Sequence, residues 1–236
     1  MKSVDIVIPI YYNNIDEIEP SVREQIDFYK KNLKEYRWKI VIGINGLDKN
    51  GIVEKVEDLS KRYENVAYDY TDQAGRGASL NRTFVNSKAD FVCYMDVDLA
   101  TGLDAVPRML KELEYYEVVV GSKYIKDAKY NRTPLRFVLS KIYNLIITKL
   151  ILNAKFSDAQ CGFKGMHTLI AREIMPLVED KGWFLDTEIL YIVQKKGYKF
   201  KEIPVHWIER ENSGVKLLKT VKDFTVKTIR LRYRNL

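Results

Sequence analysis

The chain predicts an α/β protein with a mainly parallel central sheet flanked by helices. Three observations carry that expectation. Strand-like and helix-like hydrophobic patterns alternate strictly from residue 4 to residue 121, the order that builds a parallel sheet through right-handed crossovers. The apolar run Phe91-Val92-Cys93-Tyr94-Met95 is long enough for a strand buried on both faces. That run halts on Asp96-Val97-Asp98. Two carboxylates are costly to bury unpaired, so they belong at the carboxyl edge of the strand, where open α/β sheets bind ligands.

The elements follow in order. Residues 4–10 read as a first strand, and the polar, aromatic Tyr11-Tyr12-Asn13-Asn14 as the loop after it. Ile15, Ile18, Val22, Ile26 and Leu33 recur at helical spacing. Residues 38–44 form a second strand, closed by Asn45-Gly46. Ile52, Val53, Val56, Leu59 and Tyr63 mark a second helix, and Val66-Ala67-Tyr68 a short third strand. Gly75-Arg76-Gly77-Ala78 opens a third helix. Its paired glycines permit close backbone approach to a phosphate, or serve a tight turn with a surface arginine. After the Asp96-Val97-Asp98 strand come a helix over about residues 104–114 and a strand over 118–121.

The second half is less regular. Residues 122–134 are polar and cation-rich, and with Arg136 following they suit either a phosphate clamp or a flexible loop. Residues 135–152 predict an apolar helix punctuated by Arg136, Lys141 and Lys149, fit for a core or for a membrane interface. Residues 158–164 read as irregular and residues 169–178 as a helix. Trp183-Phe184-Leu185-Asp186-Thr187-Glu188 begins another helix. There Asp186 is either a cap or, with Glu188, a carboxylate for the site. Residues 199–208 form a strand that Pro204 confines to an edge. Residues 215–233 form a basic amphipathic helix.

With 236 residues, 46% hydrophobic and 30% charged, the composition fits one globular domain. We expect residues 1–121 to form its nucleotide-binding half and residues 122–236 an acceptor half. No stretch is long and apolar enough to span a membrane. The early acid Asp5 and short apolar run argue for a first strand rather than a signal peptide. Cys93 and Cys161 lack metal-ligand spacing, which fits a reducing, cytoplasmic setting. The net charge is +7, and residues 191–236 hold 12 Lys or Arg against 4 Asp or Glu, leaving −1 on the rest. A basic tail on a near-neutral body suits a polyanionic partner or simply a solvated helix face. Asp96 and Asp98, one residue apart at a strand end, could share a divalent cation, since Mg²⁺ is usually held by one or two carboxylates plus substrate phosphates.

Taken in order, the motifs resemble glycosyltransferase family 2, in its polyprenyl- and dolichyl-phosphate branch. The resemblance is carried by Pro9-Ile10-Tyr11-Tyr12-Asn13, Gly75-Arg76-Gly77-Ala78, Tyr94-Met95-Asp96-Val97-Asp98-Leu99, Gly121-Ser122-Lys123-Tyr124, residues 158–164 (Asp-Ala-Gln-Cys-Gly-Phe-Lys) and Trp183-Phe184-Leu185-Asp186-Thr187-Glu188. Order and spacing match over nearly the whole chain. The resemblance implies a GT-A (Rossmann-like) fold with C-terminal amphipathic helices. It also implies inverting, metal-dependent transfer of a hexose from a nucleotide-diphosphate sugar to a polyprenyl phosphate.

By position, the resemblance implies that Pro9, Tyr11, Asn45, Arg76, Gly77, Asp96, Val97, Asp98, Arg210, Ser213 and Lys216 meet the donor. It implies that Asp96 and Asp98 bind Mg²⁺ or Mn²⁺, and that Lys123, Arg132 and Arg136 meet the acceptor phosphate. UDP-glucose is the first expectation for the donor and GDP-mannose the second, with a cytoplasmic, peripheral position on the membrane surface. The family's paired aspartates after the second strand are here Ile44-Asn45-Gly46, its metal-site glutamine is Ala100, and its late R-x-x-G-x-S-K pattern has Ser213 and Gly214 exchanged.

Two other readings stay open. The same fold could act on a sugar hydroxyl, which requires a general base, with Asp186 or Glu188 the first candidates. A non-catalytic basic module binding membrane or nucleic acid would explain the tail alone. No nucleic-acid reader or stacking platform is visible in the sequence, so no nucleic-acid partner is expected.

Overall fold

The computed structural model describes residues 1–131, 138, 140–208 and 217–236. Arg132, Arg136, Arg210, Ser213 and Lys216 lie outside the described residues.

Strand β1 (Lys2–Ile10) pairs in parallel with β2 (Tyr36–Asn45) over its full length. β3 (Val66–Thr71) continues the sheet beyond β2, and β4 (Phe91–Tyr94) flanks β1 on the other side. Three more strands complete it: β5 (Val118–Ser122), β7 (Lys164–His167) and β8 (Phe200–Pro204). The spatial order is β3-β2-β1-β4-β7-β5-β8. β6 (Lys129–Asn131) and β9 (His206–Ile208) form a separate parallel pair. The described helices are α1 (Ile15–Asn32), α2 (Ile52–Arg62), α3 (Arg76–Asn86), α4 (Ala105–Glu112), α5 (Tyr143–Ile151), α6 (Thr168–Ile174), α7 (Leu185–Lys196) and α8 (Leu217–Arg232).

Side chains alternate across a strand, and here both faces are buried. Ile6 and Ile8 of β1 pack with Ile18 and Val22 of α1 and Val56 of α2. Val7 packs on the opposite face with Leu80 and Phe84 of α3 and Ile189 and Ile192 of α7. Helix α7 is buried all the way round from Leu185 to Val193, the pattern of a helix enclosed by protein. Cys93 and Cys161 are buried free thiols.

Three expectations are corrected. β7 is a strand where the sequence suggested irregular chain, and it alone runs antiparallel in the seven-stranded sheet. Four residues containing Lys164 and Gly165 give no usable periodicity. The single strand expected over 199–208 is two, since Pro204 ends β8 at the sheet edge and Val205 crosses to the small sheet. The helix expected over 169–178 gives way after Ile174 to a 3₁₀ turn, Met175–Leu177, because Pro176 has no N–H to continue an α-helix. The described part of the apolar 135–152 segment winds as a π-helix over Tyr143–Ile151.

Candidate active site

The strand order turns at β1 and β4. From β1 the chain steps outward through β2 and β3, then returns to place β4 on the other side of β1. The carboxyl ends of these two strands therefore flank a topological switch point. Pairing of β1 with β4 ends at Val7 opposite Tyr94, and the Met95 N–H still donates to the Val7 carbonyl at 3.1 Å. The chain then turns. Leu99 N–H donates to the Asp96 carbonyl at 3.2 Å, with Leu99 at φ +53°, a conformation that costs a non-glycine residue about 1 kcal/mol or more. Ala100 N–H donates to Asp98 Oδ1 at 3.0 Å. Val97 points into the core while Asp96 and Asp98 stay partly exposed. The turn thus sorts one apolar and two acidic side chains to opposite sides.

Asp96 faces Arg76, the first residue of α3, with Nη1 3.3 Å from Oδ1. Arg76 is not at the surface. Its side chain keeps only 10% exposure, and its guanidinium lies 4.6 Å from the Trp183 ring and 5.4 Å from that of Tyr94. Its other neighbour is Asp186, with Nη2 3.8 Å from Oδ2. Asp186 is fully buried on α7, and its Oδ1 accepts from Lys164 Nζ at 2.5 Å and from the Tyr94 hydroxyl. Lys164, also fully buried, donates to the Cys161 carbonyl at 2.5 Å. Two carboxylates and two cations thus interlock behind the turn, which is what makes burying them tolerable.

Burial is the largest influence on Asp96. Together with Asp98 and Asp186 it outweighs the pull of Arg76 and raises the carboxyl above its ordinary range. Burial works against the Arg76 charge, but Asp96 and Asp186 reverse that and hold the guanidinium above its ordinary value. Arg76 Nε and Nη2 have no hydrogen-bond partner.

Asn45 ties the site to β1. From the end of β2 its Nδ2 donates to the Ile10 carbonyl at 2.6 Å, and its Oδ1 accepts from Gly75 N–H at 3.0 Å. Pro9, opposite Gly43, lies past the end of the β4 pairing, and Tyr11 stands exposed just after β1. The sequence had offered a surface arginine or a phosphate cradle for Gly75-Arg76-Gly77. In the fold both glycines face another segment of chain. Gly77 N–H donates to the Lys181 carbonyl at 3.0 Å. A Cβ at Gly75, where φ is +110°, would sit 2.3 Å from that same oxygen.

The remaining acids and cations fall elsewhere. Glu188, two residues beyond Asp186, accepts from the Glu179 and Asp180 amides at 3.0 and 2.9 Å and from Arg234 Nη1 at 2.5 Å. These hydrogen bonds place it under the 179–182 loop and not against Asp96. Lys123 is buried, with Nζ 2.8 Å from Asp158 and 4.5 Å from the Trp207 ring. Burial opposes its charge, but Asp158 prevails and holds the ammonium above its ordinary value. The open phosphate clamp expected of residues 122–134 therefore does not include a free Lys123 among the described residues.

Four residues of the cluster, Tyr94, Gly162, Lys164 and Trp183, lie in motifs that carried the resemblance but were not among the candidate site residues. A Cβ at Gly162 would fall 2.3 Å from Asp96 Oδ2, so this glycine makes room for the carboxylate. The available signal was a lysine and two glycines within the otherwise apolar stretch 161–166. Such residues belong inside only where a backbone must approach closely or a charge is paired.

A seven-stranded α/β sheet with paired carboxylates at its switch point defines a ligand-binding α/β domain. The family model for glycosyl transferase family 2 matches residues 5–175, and the chain belongs to that family. Its relatives include glycosyltransferase AglD of Haloferax volcanii, 29% identical over 92% of this chain and 35% of that protein. Two dolichyl-phosphate beta-glucosyltransferases also match, ALG5C of Trichomonas vaginalis and the Saccharomyces cerevisiae enzyme. They are 27% and 24% identical over 92% and 98% of this chain, and 67% and 75% of their own lengths. The chain thus spans about a third of AglD and two thirds to three quarters of these two enzymes. Glucosyl-3-phosphoglycerate synthase of Mycobacterium tuberculosis, solved with Mn²⁺, UDP and glucosyl-3-phosphoglycerate, superposes with a TM-score of 0.68. Identity is 13%, over 98% of this chain and 80% of that one. The fold is GT-A.

Proposed function

We propose that this glycosyltransferase moves a hexose, with inversion, from a nucleotide-diphosphate sugar to a polyprenyl phosphate at a membrane surface. UDP-glucose is the first choice of donor and GDP-mannose the second. The reading rests on the Asp96–Asp98 turn at the switch point, backed by Arg76. The names of the dolichyl-phosphate glucosyltransferase relatives support the lipid-phosphate acceptor, and UDP in the structural neighbour supports the uridine nucleotide.

The donor set fits a hard divalent cation. Asp98 is partly exposed, and the Ala100 amide engages only its Oδ1. Among the described residues no group of three or more His, Cys, Asp or Glu converges. Diphosphate oxygens and water would therefore complete the shell, as is usual for Mg²⁺. Asp96 and Asp98 would hold it, and the bound ion would neutralise charge on the departing nucleoside diphosphate. The glucosyl-3-phosphoglycerate synthase structures contain Mn²⁺ or Mg²⁺.

Arg76 Nε and Nη2 are buried without a hydrogen-bond partner, though Nη2 lies 3.8 Å from Asp186. They would donate to the donor's phosphates as negative charge builds there. Pro9 and Tyr11 would flank the nucleoside. Asn45 and Gly77 would shape the pocket by holding the chain around Gly75 and Lys181, while Val97, expected at the donor, points into the core instead. Arg210, Ser213 and Lys216 would complete the donor site by motif position, and Arg132 and Arg136 the acceptor site.

One observation separates the two acceptor chemistries. A hydroxyl acceptor needs a base. Asp186, the carboxylate nearest the turn on α7, is buried with Oδ1 held by Lys164 and Tyr94 and Oδ2 facing Arg76. A phosphate monoester, with a second pKa of about 6, is already largely dianionic at neutral pH. It attacks without a base.

No helix among the described residues is long and apolar enough to cross a membrane. Val226 and Ile229 are exposed on α8, which also carries Lys222, Lys227, Arg230 and Arg232. Ile142 and Leu150 are exposed at and before α5. Such apolar and cationic groups suit peripheral docking on the cytoplasmic face.

The test is transfer of labelled sugar from UDP- and GDP-sugars into extractable polyprenyl phosphate, with Mn²⁺ or Mg²⁺ and then with chelator. Chelator-sensitive labelling that Asp98→Ala abolishes is the expected result. Labelling of a glycan hydroxyl and never of the lipid would overturn the acceptor assignment.

A further inference from the structure

The residues that seat Arg76 are themselves held from the far end of the chain. Gly75 and Gly77 press directly on the backbone of Asp180 and Lys181. A Cβ at Gly77 would lie 2.7 Å from the Asp180 carbonyl, and at Gly75 2.3 Å from the Lys181 carbonyl. The same loop delivers Trp183 onto the Arg76 guanidinium. With contacts this close, any shift of the loop shifts the first turn of α3 and therefore Arg76.

Two cations following one another along and just after α8 fix that loop. Lys227 pairs with Asp180 at 2.8 Å. Arg234 donates to Glu188 at 2.5 Å and to the Leu177 carbonyl, and stands 3.3 Å from Glu179. Glu188 is the hub. Its side chain is 4% exposed, and its two oxygens accept the amides of Glu179 and Asp180 besides the guanidinium. A buried carboxylate without its cation is strongly penalised. Removal of Arg234 would therefore pull Glu188 toward water and release the two amides it orients.

We propose that Arg234 is a positioning residue for the donor site, acting through Glu188 and the 179–182 loop to hold Arg76 beside Asp96. The proposal rests on the reading of the Asp96–Arg76 cluster as that donor site. It gives Glu188 a role the sequence did not suggest, aligning the loop instead of moving a proton.

The experiment is calorimetric titration of the whole chain with UDP and with GDP in Mg²⁺, together with donor KM and kcat, for wild type, Arg234→Ala, Arg234→Lys and Lys227→Ala. Arg234→Ala should weaken nucleotide binding about tenfold, the scale of coupling between linked sites. The donor KM should rise similarly, with kcat at saturating donor retained. Arg234→Lys keeps the charge against Glu188 but loses the fork that also reaches Leu177, and should recover part of the loss. A folded Arg234→Ala that binds nucleotide as wild type does would overturn the proposal, as would a loss in kcat with KM unchanged. Should Arg234→Ala not fold, Lys227→Ala tests the same loop from its partly exposed tie, and unchanged affinity there overturns the proposal. Wild type that binds neither nucleotide would refute the donor-site reading itself.

Discussion

Gly162→Ala is a small perturbation with a large expected consequence. The new Cβ would stand 2.3 Å from Asp96 Oδ2 and 3.1 Å from its Cγ. Ordinary contact between such atoms lies near 3.4 Å, so the carboxylate or the 161–163 backbone must give by about 1 Å. The backbone has little freedom, because Gly121 N–H donates to the Phe163 carbonyl at 2.8 Å and Lys164 holds the Cys161 carbonyl. Asp96 is the softer side, and moving it breaks its alignment with Arg76 and Asp98. A misplacement of about 1 Å in a reacting constellation costs on the order of a hundredfold in rate. The expected result is kcat/KM lowered about a hundredfold, with a thermal midpoint within a few degrees of wild type. The assay is initial-rate transfer of labelled sugar beside a thermal melt. Wild-type activity in Gly162→Ala would refute the placement of Asp96 in the reacting site.

Three further outcomes follow from the buried charges and thiols. Lys164→Met leaves Asp186 buried without its closest cation and should destabilise the fold by about 3–5 kcal/mol, read from urea unfolding. Asp158, buried against Lys123, has its carboxyl held below the ordinary 3.8, because Lys123 outweighs the opposing effect of burial. The unfolded chain then binds more protons in acid, so this contribution is present above the ordinary value and is lost as pH falls through the folded one. Asp158→Asn should flatten the pH dependence of the urea midpoint as the pH falls below the ordinary 3.8, and an unchanged slope would refute the pairing. Burial pushes the Cys161 thiol up to about 11, and Cys93 still higher. A thiol reagent at neutral pH should therefore label neither cysteine until denaturant is added, and rapid labelling of the native protein would contradict the packing.

The alternation of patterns over residues 4–121 determined the parallel half of the sheet, because a strand buried on both faces leaves a short continuous apolar run and an amphipathic helix a period of about 3.6. The halt of an apolar run on Asp96 and Asp98 determined where β4 ends and marked that edge as the candidate site, since carboxylates cannot continue a core strand. Motif order along the chain determined the family. The 199–208 segment was half legible: Pro204 announced an edge, but the crossing at Val205 into a second sheet depended on β6, a strand distant in sequence. β7 was illegible, because four residues held by pairing on both sides need no pattern of their own.

The site divides in the same way. Asp96, Asp98 and Arg76 were legible as residue types at a strand end and a helix start. Their mutual arrangement was not, because it depends on α7, on β7 and on the 179–182 loop, all of which come later in the chain. Only packing shows that Arg76 is buried between two carboxylates, that Lys164 neutralises Asp186, and that Glu188 faces the loop. A sequence can say that a charge is present, but whether that charge meets water, a ligand or an opposite charge is fixed by neighbours that only the folded chain brings within a few ångströms.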